Sequence, residues 1–128
     1  MLDYFSEFQD CKTLSLKLVS CQNISLKNCN IDFFSIFLSQ KITLENCRIK
    51  TCNVINCSDI NCTYSTIERV LRLSKCKENK IIDCSIKKLK LIQTQENTIR
   101  FCSINKIKIK YSKNNIFEGN SILDTQKV

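Results

Sequence analysis

A six-residue phrase of the form apolar-x-apolar-x-x-small recurs along this chain. It reads Ile24-Ser25-Leu26-Lys27-Asn28-Cys29, then Phe34-Ser35-Ile36-Phe37-Leu38-Ser39, then Ile42-Thr43-Leu44-Glu45-Asn46-Cys47, then Cys52-Asn53-Val54-Ile55-Asn56-Cys57. The starts alternate 10 and 8 residues apart, so two phrases make an 18-residue unit. Self-similarity at a fixed period predicts a solenoid, in which each unit buries its apolar face only by stacking on the next. Within a phrase the apolar residues are two apart, the spacing of a strand with alternate side chains in and out. Eighteen residues leave room for two or three short strands and their corners, and none for a helix.

Stacking the chain at 18, with one extra residue near Arg69–Leu71, sorts the apolar residues into columns. One holds Phe8, Leu26, Leu44, Cys62, Ile81, Ile99 and Phe117. The next holds Thr13, Ile31, Ile49, Ile67, Ile86, Ile104 and Ile122. Two more run from Leu16 through Phe34, Cys52, Leu71 and Leu89 to Ile107, and from Leu18 through Ile36, Val54, Leu73 and Leu91 to Ile109. The expectation is an all-β fold: a single parallel β-solenoid (β-helix) of about seven 18-residue coils, one domain over 1–128. Coils at the strand spacing of about 4.8 Å make a rod roughly 30 Å long.

Composition changes this picture in three ways. With no proline and one glycine, Gly119, hairpin chemistry is missing, and the 13 asparagines are the expected source of turns because Asn tolerates the left-handed region. The absence of histidine removes the commonest general base and metal ligand. No apolar run is long enough to cross a bilayer, and the acidic start Met1 to Glu7 does not read as an export signal; the expected location is cytoplasmic.

All ten cysteines fall on inward columns. Cys11, Cys29, Cys47, Cys84 and Cys102 share one with Ser65 and Asn120; Cys21, Cys57 and Cys76 share another with Ser39, Thr94 and Ser112; Cys52 and Cys62 replace larger apolar residues. Such company suits a ladder of buried, reduced thiols at tight corners. Stacked pairs such as Cys29 and Cys47 are close enough for a disulfide, but one is expected only if the chain is exported, and nothing signals export. A single row of thiols does not converge as zinc requires, so neither metal nor cofactor is expected.

Charge is unevenly placed. Residues 1–64 contain six Lys/Arg and six Asp/Glu, whereas residues 65–128 contain 14 and six, so the net +8 lies entirely in the second half. One outward column reads Lys17, Ser35, Asn53, Arg72, Lys90, Lys108, with Lys88, Lys106 and Lys110 alongside. Arg72, Lys88, Lys90, Lys106, Lys108 and Lys110 form the candidate basic face, fit for an acidic partner or, equally, a solvated face that blunts sheet edges. A neighbouring outward column, Val19, Phe37, Ile55, Ser74, Ile92, Lys110, makes Phe37, Ile55 and Ile92, with Phe33, a candidate apolar strip. Such a strip marks contact with another chain unless a third strand or a terminal segment folds over it. The carboxylates Asp59, Glu78 and Glu96 form a third column, read as solvated corners rather than a glycosidase pair.

The order apolar-x-apolar-x-x-Cys/Ser-x-x-apolar-x-apolar, as in Phe34 to Leu44, Cys52 to Cys62 and Leu89 to Ile99, resembles the coils of the C-terminal right-handed β-helix of cyclase-associated proteins and tubulin cofactor C. The resemblance implies binding to actin or to tubulin-fold partners. Cofactor C also carries a Gln-x-Arg motif with a catalytic arginine, and no such tripeptide occurs here. A second resemblance is to leucine-rich repeats: Cys21-x-x-Ile24-x-Leu26-x-x-Cys29-x-Ile31 places Cys where those repeats carry Asn. Their longer unit favours the β-helix. Cys47, Cys52, Cys57 and Cys62 also stand five apart, as in pentapeptide repeats, but the spacing lapses elsewhere.

These residues predict a non-enzymatic protein-binding or scaffold module acting through the outer face of the solenoid. Its rivals are a nucleic-acid or anionic-surface binder using the basic second half, and a carbohydrate-active or GTPase-activating enzyme. The partner is a protein with an acidic surface, or alternatively a nucleic acid. Membrane insertion is not expected, and the solenoid ends offer a route to oligomers.

Overall fold

The computed structural model describes residues 6–127, which form 14 strands and no helix. In chain order these are β1 (Ser6–Gln9), β2 (Lys12–Val19), β3 (Gln22–Lys27), β4 (Asn30–Phe37), β5 (Gln40–Glu45), β6 (Arg48–Ile55), β7 (Ser58–Thr63), β8 (Thr66–Ser74), β9 (Lys80–Ile82), β10 (Ser85–Ile92), β11 (Thr98–Arg100), β12 (Ser103–Lys110), β13 (Ile116–Glu118) and β14 (Ser121–Lys127). Odd-numbered strands pair in sequence as one seven-stranded parallel sheet, and even-numbered strands as another. Each short strand and the long strand after it make one rung of a parallel β-solenoid of seven turns.

The register is the one the apolar columns require. Phe8 lies opposite Leu26, Leu26 opposite Leu44, Leu44 opposite Cys62, and the same column continues through Ile81 and Ile99 to Phe117. The extra residue also falls where expected: Ile49 pairs with Ile67, but Thr51 pairs with Val70, so a bulge occupies Glu68 and Arg69. Inward positions in a regular rung are spaced two apart along a side and three apart at a corner. Cys29 and Ile31 line one side, Phe34 and Ile36 the next, and the step from Ile31 to Phe34 bends the long strand. The alternation of an ordinary strand therefore breaks once in every even-numbered strand.

Three further corners per rung use left-handed backbone. Asp10, Asn28, Asn46, Tyr64, Asp83, Phe101 and Gly119 form one such column, with φ between 52° and 67°. Ser20, Leu38, Asn56, Lys75, Gln93 and Tyr111 form a second, and Asn23, Lys41, Asp59, Glu78, Glu96 and Asn114 a third. The expected dominance of asparagine at turns is corrected here, since only five of the 18 non-glycine residues with positive φ are Asn. In the first two columns, hydrogen bonding to the next rung offsets the steric cost of this conformation. The Asn28 amide donates to the Glu45 carbonyl at 3.1 Å, Leu38 to Ile55 at 3.1 Å, and Tyr64 to Ile82 at 3.2 Å. The stack holds corner residues such as Leu38 and Tyr64 in a conformation that they alone would avoid.

Eight of the ten thiols occupy the inward side of these corners, each directly after a left-handed residue, while Cys52 and Cys62 lie within β6 and β7. Cys47 donates to the Glu45 carbonyl at 3.5 Å and faces the Leu26 carbonyl of the preceding rung at 3.4 Å; Cys57 does the same with Ile55 at 3.2 Å and Ile36 at 3.4 Å. Where the column changes residue type, another small polar group takes over: the Cys47 amide donates to Ser65 Oγ at 3.1 Å and the Cys102 amide to Asn120 Oδ1 at 2.8 Å. All ten cysteines are free thiols. Eight are buried, but Cys11 is exposed and Cys21 half-buried, because the first rung has no described rung outside it; the expectation that all ten are interior is corrected for these two. At pH 8 a thiol reagent such as DTNB should titrate Cys11 and Cys21 within seconds and the other eight only as the chain opens. A rapid phase of more than about two equivalents would place the ladder outside the core.

Candidate functional site

The outer face of the even-numbered sheet carries the predicted basic residues. Leu89, Leu91, Ile107 and Ile109 are buried, so Lys88, Lys90, Lys106, Lys108 and Lys110 alternate with them and point outward. Parallel pairing places Lys88 opposite Lys106, Lys90 opposite Lys108, and Arg72 opposite Lys90 on the other side. Strand spacing alone puts these cations about 5 Å apart across rungs and about 7 Å apart along a strand. All six predicted cations belong to one continuous patch.

Each of the six is half-buried: the stems pack over the sheet while the charged ends compete for the same solvent. The ion pairs among the described residues engage Lys27, Arg48, Lys50 and Arg100 with Glu7, Glu45, Glu68, Asp32 and Glu118, all away from this patch. Arg72 Nε is buried with no hydrogen-bond acceptor among the described residues. Loss of water around Lys90, reinforced by Lys88, Arg72, Lys108 and Lys106, pulls its pKa below the ordinary lysine value. Lys110 Nζ sits 5.4 Å from the centre of the Tyr111 ring, which turns part of its charge toward an aromatic face. The patch is self-repelling, and an anion laid on it would supply what the fold does not.

The apolar strip borders this patch. Val19, Phe37, Ile55, Ser74, Ile92 and Lys110 follow one another in register across six rungs. Phe33 is 52% exposed, while Phe37, Ile55 and Ile92 are half-buried, so the strip is less exposed than its outward column suggests. No described strand lies over it, which removes the covering third strand as an explanation. Lys17 Nζ stands 5.3 Å from the Phe37 ring centre, and Lys17, Val19, Phe37, Leu38, Ile55 and Asn56 line an open depression of about 350 Å³.

Asp59, Glu78 and Glu96 stack at a left-handed corner, one carboxylate per rung, with φ of 56° to 57°. Among the described residues no three Cys, Asp or Glu side chains are grouped so as to hold a metal ion. No helix is long and apolar enough to cross a membrane.

One feature of the interior escapes the apolar columns. Ile24, Ile42 and Ile60 are followed in the same position by Asn79, Asn97 and Asn115. The Ile60 amide donates to Asn79 Oδ1 at 2.9 Å, Asn79 to Asn97 Oδ1 at 3.1 Å, and Asn97 to Asn115 Oδ1 at 3.2 Å. An internal amide ladder thus replaces aliphatic packing in the last three rungs, and Asn79 Nδ2 has no hydrogen-bond partner among the described residues. The sequence signal was a hydrophobic column turning polar at a fixed phase.

No protein-family model, no curated protein and no solved structure matches this chain.

Proposed function

We propose that the chain is a non-enzymatic protein-binding or scaffold module that holds an acidic partner surface against the outer face of its even-numbered sheet. One observation carries this reading: Arg72, Lys88, Lys90, Lys106, Lys108 and Lys110 stand in register with no carboxylate partner among the described residues, beside a half-buried apolar strip that no described strand covers. Like charges on adjacent strands cost stability, and an acidic partner recovers that cost on binding while the strip supplies apolar area. The likeness of the coil pattern to cyclase-associated proteins and cofactor C points the same way, toward actin or tubulin-fold partners. Ten free thiols suit the reducing cytoplasm.

The test is capture from a cell lysate at two salt concentrations, with and without nuclease. The triple variant Arg72→Ala, Lys90→Ala, Lys108→Ala should lose about tenfold or more in capture at low salt. Its own thermal midpoint should stay level or rise, because repulsion is relieved. Capture that disappears on nuclease treatment assigns the face to nucleic acid instead, and an unchanged triple variant removes the face from function altogether.

A further inference from the structure

The two ends of the rod are complementary in the same register that joins one rung to the next. We propose that copies of this chain associate head to tail, the last rung of one stacking on the first rung of another so that both sheets continue through the junction.

Four observations lead there. First, core columns stay in contact with solvent at both ends: Phe8 is 46% exposed and Phe117 37%, although every residue between them in that column is buried. Phe8, Cys11, Thr13, Leu16, Leu18, Leu26 and Ile31 surround an apolar hollow of about 210 Å³ at the first rung. Secondly, among the described strands β1 and β2 at one end, and β13 and β14 at the other, each pair on one side only. Thirdly, the outward column of the bend carries Asp32, Lys50, Glu68, Lys87 and Asn105 in its inner rungs, with Asp32 bridged to Lys50 at 3.6 Å. Only its two end members are leucines, Leu14 at 75% and Leu123 at 77% exposed.

The fourth observation is how the ends match. Continuing the register past Phe117 sets it on Phe8 of the next copy, Leu123 on Leu14, Ile122 on Thr13, and Asn120 on Cys11. Charged residues meet neutral ones: Glu118 faces Gln9, Asp124 faces Ser15, and Lys12 and Lys17 face Ser121 and Gln126. Thr125 and Lys127 continue the inward columns of Ile107 and Ile109 and fall on Leu16 and Leu18, so this side of the junction is covered by the Thr125 methyl and the Lys127 stem, whose ammonium can reach water at the end of the strand. No two like charges stand opposite one another, in contrast to the basic face.

A second copy fits better than an unrelated strand. A foreign edge could pair with one sheet; only a rung of the same 18-residue perimeter pairs with both edges at once and fills the core between them. The contact joins two different surfaces, so it does not close on itself and successive copies can add.

The experiment is sedimentation of the purified chain over a hundredfold concentration range, under reductant. The weight-average mass should rise steadily with concentration beyond two copies. Leu14→Asp with Leu123→Asp puts two carboxylates at one strand spacing across the junction and should return the protein to single-chain mass, with its β circular dichroism unchanged because both positions are exposed. Leu14→Lys with Leu123→Asp removes the same leucines but restores an opposite-charge pair, and should recover association. A wild-type chain at single-chain mass throughout, a dimer that stops at two copies, or a double-Asp variant that associates like wild type overturns the proposal. The basic-face triple alanine variant should associate normally, which separates this surface from the partner-binding face.

Discussion

Raising the pH from 8 to about 11 under reductant should unfold this protein in one cooperative step, and the transition should release several protons at once. The cause is the thiol ladder. Burial pushes the Cys29, Cys47 and Cys57 thiols up, takes Cys52 up to about 12 with added repulsion from Cys57, Cys47 and Cys76, and takes Cys76 up to about 11. Cys102 is raised by its hydrogen bond to Cys84 and then by burial. Cys84 is stabilised as thiolate by that same bond, but its contact with Cys62 at 3.7 Å and its burial outweigh this and raise it too.

The sign follows from proton counting. A thiol whose folded pKa lies above its unfolded value of about 8.5 contributes stability that is whole below about pH 8.5 and is lost as the pH climbs toward the folded value. A thiol that is protonated when folded and ionised when unfolded removes up to about 1.4 kcal/mol per pH unit, so Cys52 and Cys76, held up to about 12 and about 11, together remove about 3 kcal/mol per unit in that window, and the other five add to it in the same direction. Domains of this size are stable by about 5–15 kcal/mol. Lys90 acts in the opposite sense: its lowered pKa means the folded state gains relative stability as pH rises toward the ordinary lysine value, but it is one group against seven. Circular dichroism against pH, with the number of protons released taken from the slope, checks this. A midpoint above about pH 12, or release of a single proton, would mean that the thiols do not control alkaline stability.

Much of this architecture was legible because a solenoid writes its tertiary contacts into sequence as a period. Residues 18 apart touch, so Leu26 over Leu44 could be read without knowing any long-range pairing, and the bulge at Glu68 and Arg69 showed as a one-residue slip in the columns. The corners were less legible. Left-handed backbone at Leu38, Tyr64 and Phe101 is held by inter-rung amide bonds that stacking supplies, so the residue at the corner need not prefer that conformation. The exchange of Ile60 for Asn79 is not legible in the four apolar columns, because Ile24, Ile42 and Ile60 lie outside them and a column that turns polar halfway carries no uniform signal. For the candidate face, sequence placed all six cations on one patch. What it could not supply was the missing counterions, since whether Glu68 pairs with Arg48 or reaches Arg72 depends on the bend in the long strand.

The interior makes the second large expectation. Phe34 is the largest fully buried side chain, and its neighbours in the column are Leu16 on one side and the small Cys52 on the other. Beyond Cys52 the column continues as Leu71 and Leu89, so Phe34 and Cys52 together fill what two leucines fill further along. Phe34→Ala empties most of that space and should cost about 3–5 kcal/mol, a large share of total stability. The informative set is subtler. Phe34→Leu leaves a smaller void and should cost about 1–2 kcal/mol, while Cys52→Leu forces a branched side chain against an intact phenyl ring and should cost about 1–3 kcal/mol. Combined, each change supplies what the other lacks: the leucine at 52 fills the space the ring vacated, and the column becomes uniform. The double variant should therefore lie at least about 1 kcal/mol above the sum of the singles in urea unfolding, with an unchanged denaturant slope. Strict additivity would mean that residues 18 apart do not share one cavity, and direct stacking of rungs, on which the positions of the basic face and of both rod ends depend, would be wrong.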